Sequence, residues 1–260
     1  MVELLVRACL IGVLLAIPLA FMSYFVVMRK MTFAGVGIAH SAFGGIALNF
    51  LLGLSSFIFP VLFCLLASLF IGFMYKRGGF SEDSVIDVVF VFSMAFGIFV
   101  LSLSEGYSAN IMGILFGDIL SVANSDLLLV ASVFLLGMLF VSYFFTQLQL
   151  ITYNEELARI NGVKVDFLYY LFWAVLSILI VFSIKLIGII LVNAFLVLPT
   201  LTGLNISRGY RGVIVVGVLV SVVSIIAGVL ISYLLNTPAG ATIVLLFVVL
   251  WLISFVFRKA

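Results

Sequence analysis

Charge is scarce in this chain. Asp, Glu, Lys and Arg make up 8% of its 260 residues, against about 25% in an ordinary soluble domain. So few ionic groups cannot cover a water-facing surface, which excludes a soluble fold. The net charge of +2 is too small to imply nucleic acid as a partner. No stretch is polar enough to stay unfolded in water, which excludes disorder. Cysteine occurs twice, and Cys9 and Cys64 both lie in apolar runs, where a thiol behaves as a small hydrophobe. Nothing in their spacing suggests a disulfide or a metal pair. The chain also lacks a phosphate-binding G-x-x-x-x-G-K-[ST] loop, a zinc-protease helix and a nucleophile–base spacing, so it reads as a non-enzyme. The first residues carry Glu3 and Arg7 rather than a basic cluster, and their apolar run continues to Met28 without a small-residue cleavage pattern. They read as a true first span rather than a removable leader.

What is abundant is hydrocarbon, because 66% of the residues are hydrophobic. A bilayer core of about 30 Å needs about 20 apolar residues in helical form. Uncharged runs of that length recur at 8–28, 33–54, 56–75, 84–103, 126–148, 167–184, 186–206, 212–235 and 239–257. The expected architecture is therefore all-α, a polytopic membrane helical bundle of about nine spans in a single transmembrane domain, residues 1–260. Cytoplasmic loops collect Lys and Arg. With the N-terminus outside and the C-terminus inside, Arg29, Lys30, Lys76, Arg77, Arg159, Lys164, Arg208, Arg211, Arg258 and Lys259 all fall inside. Only Arg7 and Lys185 then fall outside, so this orientation is the expectation.

Two segments depart from plain spanning helix. Around 110–121 an apolar stretch too short to span suggests an external half-helix. Residues 152–163, TYNEELARINGV, form the most polar joint, on the cytoplasmic side of this topology. Thr152 or Asn154 is placed to cap a helix whose first turn holds Glu155 and Glu156, at the positive end of the helix dipole, and Gly162 is placed to end it. Leu157 and Ile160 fall on one side of that helix and charges on the other. It is either an interfacial helix lying on lipid or a docking element for a cytoplasmic partner.

An ionisable group inside the bilayer costs several kcal/mol, on the order of 3, so each one is a candidate for function. His40, the only histidine, lies about 10 Å of helix rise into the second span. It is flanked by the small residues Gly37, Ser41 and Gly44 and is either a packing group or part of a translocation path. Imidazole is the commonest transition-metal ligand among side chains. Asp87, near the start of the fourth span, either joins that path or pairs with Lys76 or Arg77. Glu105, Asp118 and Lys185 fall near outer ends, where snorkelling to the interface is the cheaper account.

Six segments carry a resemblance that physics alone does not supply: VMRKMTFAGVGIAHSAFGGIAL (27–48), SEDSVIDVVFVFSMAFG (81–97), ILFGDIL (114–120), ITYNEELARINGV (151–163), LIGIILVNAFLVLPTLTG (186–203) and NTPAGATIVLL (236–246). In order and spacing they resemble the permease subunits of bacterial zinc/manganese ABC importers, the ABC-3 metal permeases, across essentially the whole chain. The resemblance implies a homodimer in the bacterial cytoplasmic (inner) membrane, with the metal path at its interface. It implies a cytoplasmic ATP-binding subunit that hydrolyses ATP and an extracytoplasmic metal-binding protein that delivers zinc or manganese. No cofactor is implied on this chain itself. It also makes the 152–163 segment similar to a coupling helix, with Glu155, Glu156, Ala158, Arg159 and Gly162 as the coupling residues. His40 becomes the candidate metal residue, and Asp87, singled out by its place in the membrane, is the candidate for an oxygen ligand beside it. The family commonly carries Asp four residues before the histidine, a neighbour on the helix face. This chain has Val36 there, and a nitrogen-rich ligand set favours zinc over manganese. The alternative from another class is a gradient-driven secondary transporter, which also binds its substrate near the midplane but needs no docking helix.

Overall fold

The structure, a computed structural model, describes residues 2–53, 57–103 and 124–258. Every regular element among them is helical. In chain order these are α1 (Val2–Met28), α2 (Ala34–Leu51), α3 (Ile58–Gly78), α4 (Glu82–Ser102), α5 (Asn124–Tyr153), α6 (Glu155–Ile160), α7 (Val165–Ile187), α8 (Ile189–Ile206), α9 (Tyr210–Leu235) and α10 (Ala239–Ser254). A single 3₁₀ turn, Phe255–Phe257, extends α10. Among the described residues nine helices are long and apolar enough to cross a membrane, the number and order expected. The half-helix expected at about 110–121, with Glu105 and Asp118, lies outside the described residues.

Local chemistry sets the helix ends. Asp83 and Glu82 are helical because Ser81 caps α4, its Oγ accepting the Ser84 N–H at 3.2 Å. The fourth span therefore starts at residue 82 rather than 84. Gly188 stands alone between α7 and α8 with φ 81° and ψ 163°, a backbone region essentially restricted to glycine, and α8 starts at 189 rather than 186. The fifth span runs past 148 to Tyr153 because its polar end does not break the helix: Thr152 Oγ1 donates back to Leu148 O at 2.8 Å.

The chain forms two compact units. In one, made of the described residues of 1–30, 124–145 and 183–258, α1 packs on α8 and α9, and α10 packs on both of those. Backbones approach closely where side chains are smallest. A Cβ on Gly203 would stand 2.4 Å from Val213 O, and one on Gly217 would stand 3.0 Å from Pro199 O. Small residues of this kind replace hydrophobic driving force with close contact between membrane helices. Two polar ties cross the apolar interior: Ser23 Oγ to Thr200 Oγ1 at 2.9 Å and Asn205 Nδ2 to Ser254 Oγ at 2.8 Å. Lys185 also falls here, and its Nζ meets Asp126 Oδ1 at 3.1 Å. The Lys185 side chain, for which snorkelling was expected, thus ends in a partly exposed ion pair.

The other unit, made of the described residues of 31–103 and 146–182, has α2 packed against both α3 and α4. Its glycines explain why it is so tight. A Cβ on Gly45 would lie 2.5 Å from Pro60 Cα, one on Gly44 would strike the Phe63 ring at 2.8 Å, and one on Gly37 would meet Ile86 at 2.5 Å. The start of α7 closes the unit with the buried side chains of Tyr169, Phe172 and Trp173, the first and last packed over Gly72 of α3.

Candidate functional site

His40 sits on α2 with its ring edge-on to Phe90 of α4, the centroids 4.9 Å apart at 82°. Its Nδ1 lies 2.8 Å from Val36 O. A carbonyl only accepts, so Nδ1 carries the proton and donates. In the neutral ring Nε2 then keeps its lone pair, which is the state a metal ligand requires. Val36 thus still serves the histidine, through its backbone oxygen, at the position where a carboxylate was expected.

The neighbouring carbonyls are taken as well. Ser41 Oγ donates to Gly37 O at 2.8 Å, and Cys64 Sγ donates to Ile38 O at 3.3 Å. Ser41 Oγ also lies 3.1 Å from Ser93 Oγ of α4. With the Ser41 hydrogen spent on Gly37 O, Ser93 is the donor of that pair. Three consecutive carbonyls of α2 therefore each accept a side-chain bond beside the helical ladder, which fills both lone pairs. The imidazole is the remaining strong donor atom on this stretch of α2.

Asp87 is exposed on α4, three residues and about 4.5 Å of rise before Phe90. No hydrogen bond joins it to His40. Neither Lys76 nor Arg77 pairs with it: Lys76 Nζ pairs with Asp166, and the Arg77 guanidinium stacks over Phe73. Among the described residues no three His, Cys, Asp or Glu side chains gather where they could hold an ion.

The loop helix α6 is shorter than the 152–163 read from sequence. Asn154 is its cap, with Oδ1 accepting the Leu157 N–H at 3.0 Å, while Thr152 belongs to α5. Glu155 and Glu156 fill the first turn. Gly162, at φ 77°, ends the helix, with its N–H on Arg159 O and the Val163 N–H on Ala158 O, both at 3.0 Å. That pair of bonds is a Schellman stop, which needs the left-handed residue glycine supplies. Exposure divides the helix in a way the sequence does not announce. Ala158 is fully buried, whereas Leu157 is 42% and Ile160 80% exposed. The apolar pair therefore faces outward, beside the exposed Tyr153, and Ala158 is what seats the helix.

A charged network holds α6 to its own unit. Arg159 donates twice to Asp166, Nη1 to Oδ2 at 3.0 Å and Nη2 to Oδ1 at 2.9 Å. Asp166 also receives Lys76 from the end of α3, and the Lys76 ammonium lies 4.8 Å from the centroid of the Tyr169 ring. Tyr169 OH in turn donates to Glu82 Oε1 of α4 at 2.6 Å, in a buried position. A fork of two parallel bonds fixes geometry better than a point contact, so α6, α7, α3 and α4 are tied at one end of the unit. Sequence reading missed Asp166, Tyr169 and Glu82 as members of one network. Lys76 and Asp166 are 90 residues apart, and no local pattern connects them.

The geometry agrees with relatives of known kind. The profile of the ABC 3 transport family matches residues 1–258. The manganese import system permease protein ScaB of Streptococcus gordonii is 31% identical over 249 residues, covering 96% of this chain and 89% of that one. The high-affinity zinc uptake system membrane protein ZnuB of Haemophilus influenzae is 26% identical over 259 residues, covering 100% and 99%. Among solved structures, PsaBC from Streptococcus pneumoniae in complex with a Fab matches with a TM-score of 0.82 at 29% identity, covering 96% and 90%. The chain belongs to the ABC 3 transport family and is a multi-pass permease subunit of the inner membrane.

Proposed function

We propose that this permease subunit passes a divalent transition metal ion, zinc ahead of manganese, along a path that includes His40. The observation that carries this reading is the Nδ1–Val36 bond at 2.8 Å, which leaves Nε2 as a free nitrogen donor among occupied carbonyls. Imidazole suits zinc, and hard oxygen donors suit manganese. Relatives named for manganese import and for zinc uptake both align over nearly the full chain, so the proposed preference rests on the donor set alone. Asp87 stands as the second metal residue, one helical turn from Phe90, and would receive the ion beyond His40.

One nitrogen is too few to hold an ion. Two copies related by a two-fold axis would present two imidazoles to one position, the ordinary logic of an isologous dimer, so the working unit is a homodimer of one transmembrane domain, 1–260. The N-terminus lies outside and the C-terminus inside, as the basic residues require. ATP is hydrolysed by a separate ATP-binding subunit on the cytoplasmic face. The ion arrives from an extracytoplasmic metal-binding protein. The α6 segment, with Glu155, Glu156, Ala158, Arg159 and Gly162, is the coupling helix, its outward Leu157 and Ile160 meeting the ATPase and its Arg159 fork carrying the movement to Asp166. Membership of an ABC transport family removes support from the gradient-driven alternative.

The test is ATP-dependent uptake of zinc and of manganese into proteoliposomes that hold this permease with its ATPase and binding protein. Zinc uptake should be lost in His40→Ala and the wild type should favour zinc. Normal uptake with unchanged metal preference in the variant overturns the role of His40. Equal transport of manganese by the wild type overturns the zinc preference and makes Asp87 the next residue to replace.

A further inference from the structure

We infer that the groove between α3 and α4 binds an anionic phospholipid, one acyl chain lying in the groove and the phosphate meeting Arg77. The inference rests on the chain spanning a bilayer and not on what it transports. The groove encloses about 710 Å³ between Phe63, Leu66, Phe70 and Phe73 of α3 and Val88 and Phe92 of α4. From Phe63 to Phe73 is about 15 Å of helix rise, which is half of a hydrocarbon core of about 30 Å. The α3 wall of the groove is therefore as long as one leaflet is deep. Its floor is Ala67 and Ser93, both buried, and the Ser93 hydroxyl is engaged by Ser41. A ligand lying there meets hydrocarbon alone.

The groove ends at a cation. The Arg77 guanidinium lies 4.9 Å from the centroid of Phe73, the last wall residue, and is itself exposed. Its neighbour Lys76 is engaged with Asp166, whereas no carboxylate among the described residues pairs with Arg77. A guanidinium held over an aromatic ring just beyond the last wall residue is a bidentate match for phosphate. In the proposed orientation this leaflet is the cytoplasmic one, where anionic lipids concentrate and each surface cation attracts them. A slot one leaflet deep that ends in a free guanidinium fits a chain joined to a phosphate.

The experiment is native mass spectrometry of the purified full-length permease, titrated with phosphatidylglycerol or with phosphatidylcholine. Wild type should retain phosphatidylglycerol in preference. Arg77→Ala, at an exposed position, should weaken that retention about fivefold and remove the preference. Ala67→Phe, which fills the floor, should weaken both lipids; if it does not accumulate, Leu66→Asn on the exposed wall serves the same purpose. Equal retention of the two lipids by wild type, or no change in Arg77→Ala, overturns the inference. So does efficient disulfide cross-linking of Leu66→Cys between copies in membranes, which would assign the groove to a second protomer. Each of these outcomes is independent of metal uptake, so a failed lipid site leaves the transport reading untouched.

Discussion

Replacing Ile160 separates the docking reading of α6 from the interfacial one. Ile160 is 80% exposed, so the permease alone gains almost nothing from its side chain, and Ile160→Ala should change permease stability by no more than about 0.5 kcal/mol. If a groove of the ATPase buries this side chain, the substitution removes three carbons at about 0.8 kcal/mol each. Allowing for incomplete burial, about 2 kcal/mol of binding is lost, which corresponds to roughly 30-fold weaker association. Ala158→Asp acts differently. Ala158 is fully buried, and a carboxylate there loses its hydration, at a cost of about 3 kcal/mol or more. A six-residue helix does not survive that, so Ala158→Asp loses docking through unfolding of the segment. The assay is ATPase binding to nanodisc-embedded permease, with limited proteolysis around residue 160 as the control for folding. Unchanged ATPase affinity in Ile160→Ala, with α6 intact, refutes the reasoning and places the helix on lipid instead.

Two other predictions concern the same unit. Asp166→Asn removes the acceptor shared by Arg159 and Lys76. Because both Asp166 and Arg159 are about half exposed, the stability loss should be near 1 kcal/mol, while ATP hydrolysed per ion transported rises; an unchanged ratio in proteoliposomes counts against the network as a transmission element. Gly45→Ala forces a Cβ to within 2.5 Å of the Pro60 backbone. It should lower the thermal midpoint by the equivalent of about 1–3 kcal/mol of overpacking, and an unshifted midpoint would mean that α2 and α3 are free to separate.

Much of the fold could be read from residues because lipid leaves few choices. A spanning segment must be a helix about 20 residues long, and among the described residues the nine apolar runs became nine long helices. The errors fall at the ends, where one hydrogen bond outweighs hydropathy. Ser81 recruits Glu82 and Asp83 into α4, Gly188 delays α8, and Thr152 keeps α5 going to Tyr153. At the site, His40 was visible because it is unique. What holds its ring is a backbone oxygen, which no side-chain pattern at Val36 discloses. The cap and stop of α6 were local and therefore legible in Asn154 and Gly162. Which side of α6 is buried depends on tertiary packing, so Ala158 rather than Leu157 turned inward against the simple amphipathic expectation. The partner of Lys76 was equally hidden, and the choice of Asp166 over Asp87 depends on how α7 returns to α3.

The saturated carbonyls of α2 also bear on leakage. Sodium and potassium give up hydration water only to oxygen donors arranged around them. On the proposed path past His40, the oxygens of Val36, Gly37 and Ile38 are already bonded to His40, Ser41 and Cys64, so this stretch of α2 offers those ions no carbonyl shell. If the proposed path follows α2, a nitrogen-binding cation would find a ligand there while the abundant alkali ions would not, and the membrane potential would survive the transport cycle.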